Sequence, residues 1–214
     1  MPKRSRRIGP PHPNPLPEGE GTKRFVSRAG QKLDHALSVF QIDVHGKICA
    51  DLGSNTGGFV DCLLQRGAAK VYAIDTGYGV LDWKLRNDPR VIVMERTNAM
   101  HVVLPEKIDL ISIDVAWTKQ RNILPAAEKM LGANGRIVTL IKPHYEAEPR
   151  LLRGGVLPMD QVDGVVQRVL ESLSEMGLRA IAQTNSPIKG SKGNVERLAL
   201  LQRADVGKIF SSAD

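Results

Sequence analysis

Apolar residues recur along this chain with two alternating spacings, and the alternation predicts an α/β protein. Short apolar runs at Lys47-Ile48-Cys49-Ala50, Lys70–Asp75, Val91–Met94, Asp109–Asp114 and Arg136–Ile141 read as five strands. Between them the spacing becomes helical. Phe59, Val60, Leu63 and Leu64 lead to a stop at Gly67, a short helix is expected around Val80–Arg86, and another over Ile123–Leu131 ends in Gly132-Ala133-Asn134-Gly135. Ahead of the first strand, Leu33, Ala36, Leu37 and Phe40 make one apolar face of a helix whose N-cap, by residue type, is Ser27. Residues 144–158 read as an irregular loop, and Val162, Val165, Val166, Val169, Leu170 and Leu173 as an amphipathic helix. Two final strands, Leu178–Gln183 and Arg197–Leu201, flank the polar, glycine-bearing loop 186–194. The order implies a mainly parallel, seven-stranded, Rossmann-like sheet with one antiparallel strand near its edge and helices on both faces.

In such sheets ligands bind outside the carboxyl ends of the strands. The first strand runs into Asp51-Leu52-Gly53-Ser54-Asn55-Thr56-Gly57-Gly58-Phe59. A phosphate-binding loop needs Lys followed by Ser or Thr after its last glycine, and Phe59 stands there instead; a dinucleotide site wants G-x-G-x-x-G. Asp51 at the strand mouth suits a cationic amine better than a pyrophosphate, which fits the methionine end of S-adenosylmethionine (SAM). Gly53 permits a tight turn, and Gly57 and Gly58 allow a ligand or a neighbouring strand to come close. Asp75, 24 positions beyond Asp51, ends the second strand where a carboxylate grips a ribose diol. Thr97-Asn98 after the third strand either meets an adenine or makes a turn.

Composition changes this picture little. With 214 residues, 42% of them apolar, the chain suits one domain with a substantial core. Its two cysteines, Cys49 and Cys62, fall in a strand and a helix, so a reducing compartment is expected; no apolar run reaches the roughly 20 residues of a membrane span. Of the net charge of +7, residues 1–24 carry a surplus of four, leaving three for the rest. Residues 1–24 are therefore expected to be a basic, proline-rich, disordered arm, 25–206 the folded domain and 207–214 a flexible end. Basic charge favours RNA, with Arg28, Lys84, Arg86, Lys189 and Lys192 as the candidate open face.

The chemistry narrows by elimination. Methylation at a pyrimidine carbon uses a thiolate, and both cysteines occupy structural positions. Methylation of an exocyclic amine uses an Asn/Asp-Pro-Pro-aromatic turn, where this chain has Asp114-Val115-Ala116-Trp117. Charged residues remain at the strand ends: Asp114, Lys142 and Glu196, with Lys32 on the first helix. By pattern Lys32 lies beside the apolar helix face, where a lysine is usually a solvated flank. A ribose hydroxyl is a weak acid and needs an aimed base. A lysine in a desolvated crevice beside another cation serves as one.

The chain resembles the FtsJ-type ribose 2′-O-methyltransferases, and within them the TlyA-type rRNA enzymes, from about Phe25 to Arg203. The likeness rests on Ser27-Arg28-Ala29-Gly30-Gln31-Lys32-Leu33, Asp51-Leu52-Gly53 with Gly57-Gly58-Phe59, Val71–Asp75 with Gly77-Tyr78-Gly79, Ile113-Asp114-Val115, Leu140-Ile141-Lys142-Pro143 and Lys192-Gly193-Asn194-Val195-Glu196. It implies a class I SAM-dependent methyltransferase acting on ribosomal RNA or a ribosomal subunit in the cytoplasm. It also implies a catalytic set Lys32, Asp114, Lys142 and Glu196 with Lys142 as base. The implied SAM site comprises Asp51, Gly53, Ser54, Gly57, Gly58, Phe59, Asp75, Asn98 and Asp114, with no metal. Relatives carry an RNA-binding S4 domain ahead of this region, so a separate RNA-binding partner is expected in its place. Ala116-Trp117 and His144-Tyr145 depart from the expected phenylalanines. A small-molecule methyltransferase and a non-catalytic SAM- or RNA-binding or haemolysin-like protein remain the alternatives.

Overall fold

A computed structural model of the chain describes residues 24–204. The expected arm over 1–24 (Arg24 excepted) and the expected flexible end over 207–214 lie outside them. Strands β1 (Ile48–Leu52), β2 (Lys70–Ile74), β3 (Val91–Met94), β4 (Ile108–Ile113), β5 (Leu131–Ile141), β6 (Leu178–Asn185) and β7 (Arg197–Arg203) form one sheet. Their order is β3-β2-β1-β4-β5-β7-β6. β1 to β5 pair in parallel, and β7 runs antiparallel to both β5 and β6, one place in from the edge.

Helices α1 (Ala29–Val39), α2 (Gly58–Gln65), α3 (Trp83–Arg86), α4 (Gln120–Met130), α5 (Pro143–Glu146) and α6 (Met159–Glu171) complete the fold. One buried cluster joins Leu33 and Leu37 of α1, Val60 and Leu63 of α2 and Leu85 of α3 to Cys49, Val71 and Leu110. The other joins Ile123 and Leu124 of α4 and Val162 and Val165 of α6 to Ala50, Ile74, Ile111 and Ile113. Consecutive residues such as Cys49 and Ala50, or Leu110 and Ile111, thus enter opposite cores. This is why the central strands read as continuous apolar runs rather than as alternating ones. A fully buried side chain such as Leu33 or Leu63 contributes about 1.5–3 kcal/mol.

The elements differ from the sequence reading in four places, each with a physical cause. Ser27 does not cap α1: Arg28 is the N-cap, with helical dihedrals and no side-chain cap bond. Ser27 is instead pressed on Gly58, where a Cβ would run into its Oγ. The expected turn 132–135 is absorbed into β5, whose register against β4 slips between Ile108↔Leu131 and Leu110↔Arg136, two steps on one strand against five on the other. α3 is a single turn begun at Trp83, because Asp82 accepts from the Lys84 N–H and caps it there. The loop 144–158 holds α5, a 3-10 turn at Pro149–Leu151 and a bridge between Arg153 and Val156. Proline explains α5: it forces the preceding residue to be extended, and it favours the first helical position.

Candidate active site

β1 and β4 are neighbours in space but not in sequence, so the strand order reverses between them and opens a crevice at their carboxyl ends. Gly53 follows β1 with φ +89°, and a Cβ there would sit 2.8 Å from the carbonyl oxygen of Asp114 at the end of β4. Any other residue would push the two strand ends apart. Gly57 and Gly58 are approached by side chains around α1 and α3 rather than by a strand. Their close approaches are to Leu81 and Leu85 and to Ser27 and the start of α1, and Phe59 is a core side chain at 2% exposure. Ser54 is buried, and its N–H donates to Ile74 O at 3.1 Å.

Asp51 is fully enclosed and accepts a hydrogen bond from Ser112 Oγ at 2.7 Å. Burial, opposed by that bond and reinforced by the charges of Asp114 and Asp75, pushes its carboxyl up to about 8. No cation among the described residues pairs with it. A bound ammonium would favour the ionised carboxylate, and this is the observation on which the fit to SAM rests. At the end of β2, Asp75 accepts from the N–H groups of Asn55 at 2.8 Å and Gly77 at 2.7 Å. Each of its oxygens keeps a lone pair for a diol. Asn98 accepts from the Met100 N–H at 3.0 Å, forming the turn, and also lines the cavity. A cavity of about 330 Å³ holds Asp75, Asn98 and Asp114; one of about 210 Å³ holds Asp51, Phe59, Asp114 and Lys142, and Gly53 borders both.

A third cavity, of about 350 Å³, is lined by Lys32, Asp114, Lys142 and Glu196. Four segments distant in sequence converge there: α1, and the ends of β4 and β5 with the residue before β7. Lys32 Nζ lies 2.5 Å from Glu196 Oε2, with the two side chains 11% and 3% exposed. Lys32 is therefore no solvated flank; its partner is 164 residues away. Lys142 Nζ lies 2.6 Å from Asp114 Oδ1 and donates to Val115 O at 2.9 Å. Neither cysteine competes as a nucleophile. Burial pushes both thiols up to about 12.

Several supporting residues are given no role by the sequence, although Asn194 lies in a stretch that carries the family likeness. Ser112 orients Asp51. Gly190 makes room for Glu196, whose Oε1 a Cβ would meet. Buried Asn194 accepts from the Leu157 N–H and donates to Gly155 O and Ser191 O, tying together the loops beside the third cavity. Gln120 links α4 to β5 through Thr139 Oγ1 at 2.7 Å and Leu140 O at 3.3 Å. The expected basic face divides. Arg28 and Lys189 are exposed and line the third cavity, whereas Lys84 pairs with Asp61 and Arg86 with Glu95. Lys192 donates to Gly154 O at 3.1 Å.

Comparison with known proteins agrees with this arrangement. The model of the FtsJ-like methyltransferases matches residues 25–203. The chain is 41% identical over 182 residues to "Hemolysin A" of Brachyspira hyodysenteriae, covering 82% of this chain and 76% of that protein. It is 40% identical over 183 residues to the 16S/23S rRNA (cytidine-2′-O)-methyltransferase TlyA of Mycobacterium tuberculosis, covering 83% of this chain and 68% of that one. A crystal structure from Lactococcus lactis that carries the hemolysin name superposes with a TM-score of 0.81 at 40% identity, covering 84% of this chain and 89% of its own. By the match of the family model and of these relatives, the chain belongs to the FtsJ-like methyltransferase family.

Proposed function

We propose that this chain transfers a methyl group from SAM to a ribose 2′-hydroxyl of ribosomal RNA. One observation carries the reading: Lys142, paired to Asp114, lines both the cavity that holds Asp51 and the cavity that opens between Arg28 and Lys189. Its amine thus stands where a cofactor and an acceptor would meet. The likeness to an enzyme named for rRNA cytidine 2′-O-methylation supports the same acceptor.

Asp51 would take the ammonium of the methionine part, Asp75 the ribose diol, and Asn98 the edge of the adenine, with Gly53, Ser54, Gly57, Gly58 and Phe59 shaping the wall between them. When bound, SAM supplies a methyl carbon on a positively charged sulfur, a good electrophile with a neutral thioether leaving group. Lys142, once its ammonium has released a proton to solvent, would take the 2′-hydroxyl proton and leave the ribose oxygen as the nucleophile for the methyl group that SAM would supply. Asp114 aims the amine, and Lys32 with Glu196 holds the opposite wall of the acceptor cavity. The rest of the rate comes from orientation. Arg28 and Lys189 at the mouth would meet backbone phosphates. This work belongs in the cytoplasm, where ribosomes are made.

A membrane-lytic role, which the "Hemolysin A" relative's name invites, draws no support from the chain. No helix among the described residues is long and apolar enough to cross a membrane. The test is to map methylated riboses in ribosomal RNA from cells with and without the gene. A ribose 2′-O-methyl mark lost with the gene and regained with its return supports the proposal. An unchanged ribose map, or a lost mark on a base, overturns it.

A further inference from the structure

His144 sits on α5, two residues after Lys142, and takes no part in either ion pair. It is 6% exposed and lines the acceptor cavity with Lys32, Asp114, Lys142 and Glu196. Its ring leans on Tyr145 with centroids 4.1 Å apart. Its Nδ1 is sealed from solvent and has no hydrogen-bond partner among the described residues. Buried polar atoms are nearly always paired, so an unpaired one beside an acceptor cavity needs an explanation.

Burial, with the charges of Lys142 and then Lys32 facing the ring, holds the imidazole below its ordinary range and so neutral. A neutral imidazole has one N–H and one lone pair. An N–H at the sealed Nδ1 would be stranded without an acceptor. A lone pair there costs less, and the nearby charges of Lys142 and Lys32 favour the neutral ring that carries it. This places the proton on Nε2. Because Nδ1 is sealed, the ring's contact with the cavity runs along its other edge, which carries Nε2.

We propose that the Nε2–H of His144 donates to an oxygen of the acceptor nucleotide, its phosphate or its base carbonyl, and so holds the ribose against Lys142. The proposal rests on the RNA reading above. It adds a substrate-positioning residue that is separate from the proton transfer. His144 also stands at one of the two places where the chain departs from the expected aromatic pattern.

The test is steady-state methyl transfer to ribosomal RNA by the wild type and by His144→Phe, His144→Gln and His144→Asn, with SAM affinity and melting temperature measured beside it. A glutamine amide nitrogen takes the place of Nε2, whereas an asparagine amide reproduces Nδ1. His144→Phe should raise the KM for RNA roughly tenfold to a hundredfold, the scale of a hydrogen bond to a charged or strongly polar oxygen. Its kcat should fall much less, and its SAM affinity and melting temperature should stay near wild type. His144→Gln should recover most of the loss and His144→Asn little. An unchanged KM in His144→Phe overturns the proposal, as does better rescue by Asn than by Gln, or a parallel loss of SAM affinity. A wild type that transfers no methyl to RNA overturns the RNA reading and this proposal with it. An active wild type with an unaffected Phe variant overturns this proposal alone.

Discussion

The crevice holds two lysine–carboxylate pairs that look alike in sequence and differ in setting. Lys32–Glu196 is sealed, at 11% and 3% exposure, and lines the acceptor cavity only. Lys142–Asp114, at 15% and 17%, is more open and borders both cavities. A sealed pair is held in place by its own desolvation, because parting it strands a charge. A pair at a junction is free to exchange one contact for a substrate hydroxyl. On the proposed reading, the first pair is the fixed wall and the second handles the proton.

Substitutions should separate the two. Lys142→Ala should cut methyl transfer about a hundred- to ten-thousand-fold, the value of a positioned base, while SAM affinity, measured by calorimetry, changes only slightly. Lys32→Ala should act through stability instead. Removing one partner of a buried pair costs about 3–5 kcal/mol, readable in urea unfolding. The double change Lys32→Met with Glu196→Gln should regain much of that stability without regaining activity. If Lys32→Ala proved as stable as wild type, the pair would not be the sealed wall described here.

Asp51 gives a smaller effect with a distinctive sign. Its carboxyl is held near 8 in the fold against an ordinary 3.8, so the native chain keeps this proton through neutrality after the unfolded chain has lost it. Stability from this group is therefore complete below about pH 4 and is lost as pH rises through about 8. Asp51→Asn should raise the melting temperature of the SAM-free protein at pH 8 and weaken SAM binding about tenfold or more, the loss of a charge-assisted bond. SAM should stabilise the wild type, and NAD should not. A variant with wild-type SAM affinity would remove Asp51 from the binding site. The smallest effect is expected from deleting residues 1–22, which hold little apolar surface to bury. Differential scanning should find the melting temperature nearly unchanged, and a loss of many degrees would make the arm part of the fold.

The legible parts of the fold were the local ones. Asp51, Gly53 and Asp75 stand at strand ends that apolar runs reveal, and the seven-stranded, mainly parallel character follows from alternation, whereas the spatial order of the strands comes from the structure. The helix pattern alone misplaces Lys32 as a solvated flank, because its burial depends on Glu196, which no local pattern links to it. Ser27 was misread because Gly58, not the helix it precedes, decides where its side chain goes. That contact at Gly58, and those of Leu81 and Leu85 at Gly57, place both glycines in close packing with neighbouring side chains. A glycine motif tells where a Cβ is forbidden without telling what forbids it. Ser112 and Gly190 are ordinary in sequence and gain meaning only through a partner across a strand or loop. The proposed catalytic set is readable only through family resemblance, since four single residues on four segments carry no spacing of their own.

Lys142→Arg tests the central claim most directly. Arginine keeps the positive charge beside Asp114 but does not release its proton. With SAM affinity confirmed, transfer to ribosomal RNA should fall by about a hundredfold or more, close to the loss in Lys142→Ala and on the scale of a missing general base. A Lys142→Arg protein that kept most of its activity would contradict the account, because Lys142 would then act as a charge and not as the base.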